Sequence, residues 1–241
     1  GFQDFLICVH DERKATRISE NYNVFCTHNL EIAISHKPYF AIVCNPTSFH
    51  VNTANTLIDN KIPFLMEKPI TNDLKELNRF SEKVHNSDLP IMFGFQLRNH
   101  PFFLKMKEIL KSGVIGRPIL LNGVVGQYLP NWRPGTDYSL TTSAREFLGG
   151  GVILDLSHEI DIAIQLMGPP KSLFSCGGKY SSLNIDTEDT AIICLKHNTG
   201  ISSICLNYLE RKYKWITDVT CTRGSISWDY GEDKLIMIDE S

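Results

Sequence analysis

The chain has 241 residues, 42% hydrophobic and 21% charged, with a formal net charge of −3. That is ordinary globular composition, long enough for one large or two modest domains, and it carries no basic surplus for nucleic acid or an anionic membrane surface. No apolar run approaches the roughly 18 residues a bilayer span needs, so neither class of partner is expected. The seven cysteines stand singly, odd in number and without a C-x-x-C pair. They read as small core residues of a cytoplasmic protein, not as a disulfide or metal framework.

The first half alternates strands and helices. Phe5 to Val9 is a buried strand, and His10-Asp11-Glu12-Arg13 opens a polar helix to about Glu20. A short strand at Val24-Phe25 and a helix from Asn29 to Ser35 follow. Tyr39 to Cys44 is the next buried strand. Asn45-Pro46-Thr47-Ser48 is a turn expected to cap a helix from Phe49 to Asp59. The apolar stretch Phe64-Leu65-Met66 then ends in Glu67-Lys68-Pro69, because proline has no N–H to continue a sheet ladder. A helix capped at Asn72-Asp73 carries Leu74, Leu77, Phe80 and Val84 at helical spacing, and Ile91 to Phe95 is a further strand.

This alternation predicts βαβ units and a parallel sheet, a doubly wound Rossmann-like domain over residues 1–95. Ligands bind outside the carboxyl ends of strands in such sheets, which is where Glu67 and Lys68 fall. Asp11, just past a strand, is either a ribose-binding acid or a helix N-cap. The fingerprint G-x-G-x-x-G occurs nowhere in the chain. The expectation is therefore a domain whose first strand and glycine turn are missing from this sequence.

The second half, residues 96–241, reads as an α+β domain. Pro101 to Ser112 is an amphipathic helix with proline at its start and Gly113 as its stop. Ile119 to Gly126 is a strand. Gln127 to Gly151 is a long irregular segment rich in aromatic and arginine side chains, suited to sugar rings and to phosphate or carboxylate. Gly149-Gly150-Gly151 leads into a helix ended by Gly168-Pro169-Pro170, with Asp155, His158 and Asp161 along one stripe. From Ser172 onward strands dominate, at 190–196, 201–209, 215–222, 225–228 and 234–238. They predict a large antiparallel sheet whose open face pairs two or four copies of the chain.

The Asn45-Pro46 turn with His50, then Glu67-Lys68-Pro69, then Gly149 to Asp161, then the sheet domain, together resemble the Gfo/Idh/MocA oxidoreductases. The likeness covers essentially the whole chain. Tyr128-Leu129-Pro130-Asn131-Trp132-Arg133-Pro134-Gly135 followed by Asp155-Leu156-Ser157-His158-Glu159 is similar to a subgroup linked to bacterial surface sugars. The resemblance implies hydride transfer between a nicotinamide cofactor and a secondary hydroxyl or keto group of a sugar, nucleotide sugar or polyol. It implies Lys68, His158 and Asp155 as catalytic residues, with the aspartate three residues before the histidine where inositol dehydrogenases have four. It implies Asp11, Asn45, Pro46, His50, Glu67 and Lys68 as cofactor-binding residues. Arg98, Tyr128, Trp132, Arg133, Arg145 and Asp161 are the candidate substrate-binding residues. An acid at Asp11 favours NAD, while Arg13 and Lys14 leave NADP open. Relatives run further and end in helix, so a longer C-terminus is expected. The competing reading is a non-catalytic dinucleotide-binding or sensor protein on the same fold, since fold alone does not fix function.

Overall fold

A computed structural model describes residues 5–240. They divide into two units, one ending at Gly94 and one beginning at Phe95.

In the first unit, β1 (Leu6–Cys8) and β2 (Phe25–Thr27) pair in parallel around α1 (Glu12–Tyr22). After α2 (Leu30–Ser35) come β3 (Ala41–Val43), α3 (His50–Asp59), β4 (Phe64–Met66), α4 (Leu74–His85) and β5 (Ile91–Phe93). Local chemistry sets three of the helix starts. Asp11 accepts from Lys14 N at 2.6 Å, Asn29 from Glu31 N at 2.8 Å and Asp73 from Lys75 N at 2.8 Å. Each satisfies backbone donors that a helix leaves unpaired. The expected cap from the Asn45–Ser48 turn is absent. A 3₁₀ turn at Thr47–Phe49 precedes α3, neither start has a side-chain cap, and the Ser48 hydroxyl is buried without a partner.

The single sheet expected here is two sheets, β1–β2 and β3–β4–β5, all parallel. A doubly wound sheet has the order 3-2-1-4-5-6, in which the first strand bonds to both flanks. The two ladders match those flanks, and among the described residues β1 pairs only with β2 and β3 only with β4. The core gathers on the three-stranded sheet. Phe64 and Met66 of β4 are wholly buried among Val43, Ala54, Leu57 and Phe80, as expected for a strand covered on both faces.

The second unit opens with α5 (Pro101–Ser112), begun by proline and ended by Gly113 in the left-handed region. A seven-stranded sheet follows, from β6 (Pro118–Gly126), β7 (Ser172–Gly178), β8 (Thr190–Lys196), β9 (Ile201–Asn207), β10 (Lys214–Cys221), β11 (Gly224–Asp229) and β12 (Lys234–Asp239). Its order is β12-β11-β10-β6-β9-β8-β7. It is not wholly antiparallel: β6 and β9, at its centre, run parallel. The hairpin β8–β9 returns beside β6 after a long excursion through helices, and a crossover can deliver a strand in either sense.

One face of this sheet is buried by alternate residues, among them Leu121, Val125, Ile193, Ile204, Leu206 and Val219. The helix predicted after the glycines is two helices, α6 (Val152–Asp155) and α7 (His158–Met167), parted by Leu156 and Ser157. Asp155 is therefore not on one continuous stripe with His158 and Asp161. The segment 127–151 is not structureless either. It holds four 3₁₀ turns, at Leu129–Asn131, Tyr138–Leu140, Thr142–Ala144 and Glu146–Leu148.

Candidate active site

The parallel-sheet unit brings its expected residues to the carboxyl ends of strands. Glu67 and Lys68 follow β4 directly, and Glu67 N still bonds to Val43 O at 2.9 Å. The Glu67 carboxylate folds over Gly94, where any side chain would strike it. Lys68 is half-buried. Asn45 follows β3 and donates from Nδ2 to Thr53 at 2.9 Å, while its Oδ1 is buried without a hydrogen-bond partner. Pro46 starts the 3₁₀ turn beside it.

His50 stands at the start of α3. It is 2% exposed, and its ring spans two backbone carbonyls, Pro69 O from Nδ1 and Asn45 O from Nε2, each at 2.8 Å. The imidazole ties the Asn45 loop to the Glu67-Lys68-Pro69 loop and has no nitrogen left for a ligand. Asp11 serves as the N-cap of α1 through Oδ1 and is otherwise exposed.

The unpartnered Asn45 Oδ1 fits a bound dinucleotide. A buried acceptor without a donor, at the end of a parallel strand, matches a ligand that brings N–H or O–H groups. When bound, that cofactor supplies the hydride chemistry.

In the second unit His158 begins α7 and is 6% exposed. Its ring is stacked on Trp215 with an offset, centroids 6.3 Å apart and planes at 28°. Phe95 meets it edge-on at 6.1 Å. Asp155 accepts a 2.6 Å hydrogen bond from the Tyr208 hydroxyl. Burial first, and then the Asp155 carboxylate, hold the Tyr208 phenol well above its ordinary pKa, so it stays a donor. Glu188 caps the start of α6, accepting from Ile153 N at 3.0 Å.

Two expected substrate residues are spent on each other. Arg98 grips Asp161 bidentately, Nε to Oδ2 at 2.8 Å and Nη2 to Oδ1 at 2.5 Å, and its guanidinium lies over the Phe95 ring. Arg145 pairs with Asp186 at 3.3 Å. Tyr128 carries Arg211 on its face, 3.5 Å from the ring centroid. Trp132 meets Tyr208 edge-on at 5.3 Å and, with Arg133, Thr136, Tyr138 and Ser143, lines a recess. Of the expected arginines, Arg133 alone lines that recess, and no salt bridge among the described residues engages it.

Three neighbours of the catalytic candidates went unread in the sequence: Tyr208, Trp215 and Glu159. Tyr208 follows directly on an apolar strand and Trp215 sits in one, with nothing to mark either. Glu159 had a signal, because it falls on the same helical stripe as Ile162, Ala163, Leu166 and Met167, all buried.

Two family models match this chain. The GFO/IDH/MocA C-terminal domain matches residues 103–227, and the oxidoreductase family with NAD-binding Rossmann fold matches residues 5–95. The chain belongs to the Gfo/Idh/MocA family. Among curated relatives, the uncharacterized oxidoreductase YrbE of Bacillus subtilis is 28% identical over 81% of this chain and 57% of its own length. Myo-inositol 2-dehydrogenase of Thermotoga maritima is 26% identical over 83% of this chain and 59% of its own. The chain thus spans somewhat over half the length of these relatives. Among solved structures, the WlbA dehydrogenase of Bordetella pertussis, in complex with NADH and UDP-GlcNAcA, superposes with a TM-score of 0.85. It is 16% identical, over 97% of this chain and 74% of that one. A levoglucosan dehydrogenase in complex with NADH and L-sorbose gives 0.86 at 18% identity, over 98% of this chain and 66% of that one. At these identities the likeness is one of fold.

Proposed function

We propose that the protein is an NAD(H)-dependent dehydrogenase or reductase acting on a secondary hydroxyl or keto group of a sugar, polyol or nucleotide sugar. The observation that carries this reading is in the parallel-sheet unit. Asn45, Glu67 and Lys68 all stand at carboxyl ends of parallel strands, and the buried Asn45 Oδ1 has no donor. Family membership and the names of the inositol and sugar dehydrogenases among the relatives support the chemistry.

In this reading Lys68 places a cation beside the oxygen that becomes an alkoxide, and His158 takes or returns its proton. Asp155 assists His158. Asp11 holds the ribose and favours NAD. Tyr128, Trp132 and Arg133 frame the sugar. The protein is cytoplasmic, in keeping with seven free cysteines and with no described helix long and apolar enough to cross a membrane. Copies associate through the outer face of the large sheet, where Leu120, Phe174, Ile192, Ile201 and Ile238 are exposed.

The test is titration of the full-length protein with NADH and with NADPH, followed by nicotinamide fluorescence. Saturable binding, tighter for NADH, is expected. A folded protein that bound neither would end the dehydrogenase reading.

A further inference from the structure

α7 carries a second ionisable group next to His158. Glu159 is 0% exposed, on the helix face that meets the large sheet. Its Oε1 accepts from the indole Nε1 of Trp215, and its Oε2 accepts from the Thr217 hydroxyl at 3.2 Å. Both partners lie on β10, two residues apart and hence on one face of the strand. β6 makes room with Gly123, whose missing side chain would stand 2.9 Å from Glu159 Oε2. The indole that Glu159 holds is the one stacked on the His158 imidazole.

A carboxyl enclosed in this way is an unusual thing to keep. An apolar residue of similar size would fill the space without a desolvation cost. No lysine or arginine pairs with Glu159 among the described residues. Glutamate does here what leucine cannot: it fixes the rotation of the indole by its N–H while the indole face supports the histidine. Trp215 is in turn held from its other sides by Tyr230 at 4.5 Å and Tyr213 at 6.4 Å.

We propose that Glu159 is the positioning residue for His158, acting through Trp215, and that its protonation state is read by the imidazole. This rests on the reading of His158 as the acid–base group. Burial raises the Glu159 carboxyl from an ordinary value to about 7, against the opposing hydrogen bonds from Trp215 and Thr217. Its charge therefore appears over the range in which an unperturbed histidine loses its own. The groups around it are Trp215 and Thr217 on β10, Gly123 on β6, and the Tyr213 phenol. That phenol is raised by burial first, then by Tyr230, Glu159 and Asp229. None of these neighbours is a cation that would pin the carboxylate in its charged form.

The test follows the His158 Cε1–H resonance by NMR across pH 5–9 in the full-length protein, in wild type, Glu159→Gln and Glu159→Ala. No substrate is needed, so the result stands apart from whether the dehydrogenase reading holds. Glu159→Gln keeps an acceptor for the indole. Its His158 signal is expected to coincide with wild type at pH 5, where both side chains are neutral, and to diverge by pH 8. Glu159→Ala is expected to lose the ring-current shift from Trp215 at every pH. Where turnover is measured, it should lower kcat ten- to a hundredfold with KM little changed, and Glu159→Gln should restore kcat. Superimposable His158 titrations in wild type and Glu159→Gln would overturn the electrostatic half of the proposal. An unchanged ring-current shift in Glu159→Ala would overturn the positioning half. Should Glu159→Ala fail to fold, Trp215→Phe in the Glu159→Gln background reads the same stack.

Discussion

The Tyr208 hydroxyl donates to Asp155 Oδ2 at 2.6 Å from a side chain that is itself fully buried. Tyr208 comes just after β9 and Asp155 from the end of α6, so this hydrogen bond ties the helix that precedes His158 to the sheet beneath, beside the bonds from Val152 N and Ile153 N to Glu188. Hydrogen bonds to charged groups contribute roughly 1.5–3 kcal/mol. Tyr208→Phe is expected to lower stability by about 2 kcal/mol on that scale. Urea unfolding checks it, and an unchanged midpoint would show that Asp155 does not depend on the phenol.

The raised Glu159 carboxyl makes stability depend on pH. Its folded pKa of about 7 lies above the ordinary 4.5, so the folded state holds the proton more tightly. The contribution is fully present below about pH 4.5 and is lost as pH rises through 7. Across that span it amounts to about 3 kcal/mol. Glu159→Gln has nothing to titrate there. It should gain on wild type by most of that amount between pH 5 and pH 8, read from urea curves at both values. A difference independent of pH would contradict the assignment.

Arg98 and Asp161 are 47% and 12% exposed as side chains. The bidentate geometry favours the pair, and solvent around the guanidinium screens it. A double-mutant cycle of Arg98→Ala and Asp161→Ala should give a coupling of at most about 1 kcal/mol, smaller in high salt. A much larger coupling that ignored salt would mean the ion pair is more buried than its exposure implies.

The glycine run has a steric reason. Gly151 holds φ at +115°, and a side chain there would run into the Glu188 carboxylate that caps α6; at Gly150 it would strike the Thr142 carbonyl. Gly151→Ala should cost about 2 kcal/mol or more from the backbone conformation alone, and Gly150→Ala should disturb the fold of the segment. Thermal melts of both variants decide this. Wild-type melting in Gly150→Ala would show that the loop relaxes freely.

For the proposed chemistry, His158→Ala should reduce kcat by about 10²–10⁴, the usual worth of a general acid–base group. Lys68→Ala should reduce it by about 10²–10³, as when one stabilising donor is removed from a developing oxyanion. Both should leave cofactor binding measurable. Full turnover in both variants would remove these residues from the mechanism.

Much of the order of elements was written locally. Caps at Asp11, Asn29 and Asp73, the proline that stops β4 and the Pro101–Gly113 brackets of α5 act within a few residues, and short-range chemistry is what a sequence displays. The motifs at Glu67-Lys68 and Gly149 to His158 were legible for the same reason. What lay beyond reach depended on distant partners. The break between α6 and α7, the parallel pairing of β6 with β9, and the division of the first sheet are decided by which strands meet. Partners were likewise out of reach. His50 spends both ring nitrogens on carbonyls from two loops, and Arg98 finds Asp161 sixty-three positions away. Tyr208, Trp215 and Glu159 gain meaning only when the large sheet closes against α6 and α7, because a buried polar group is defined by its partners and those partners are set by packing.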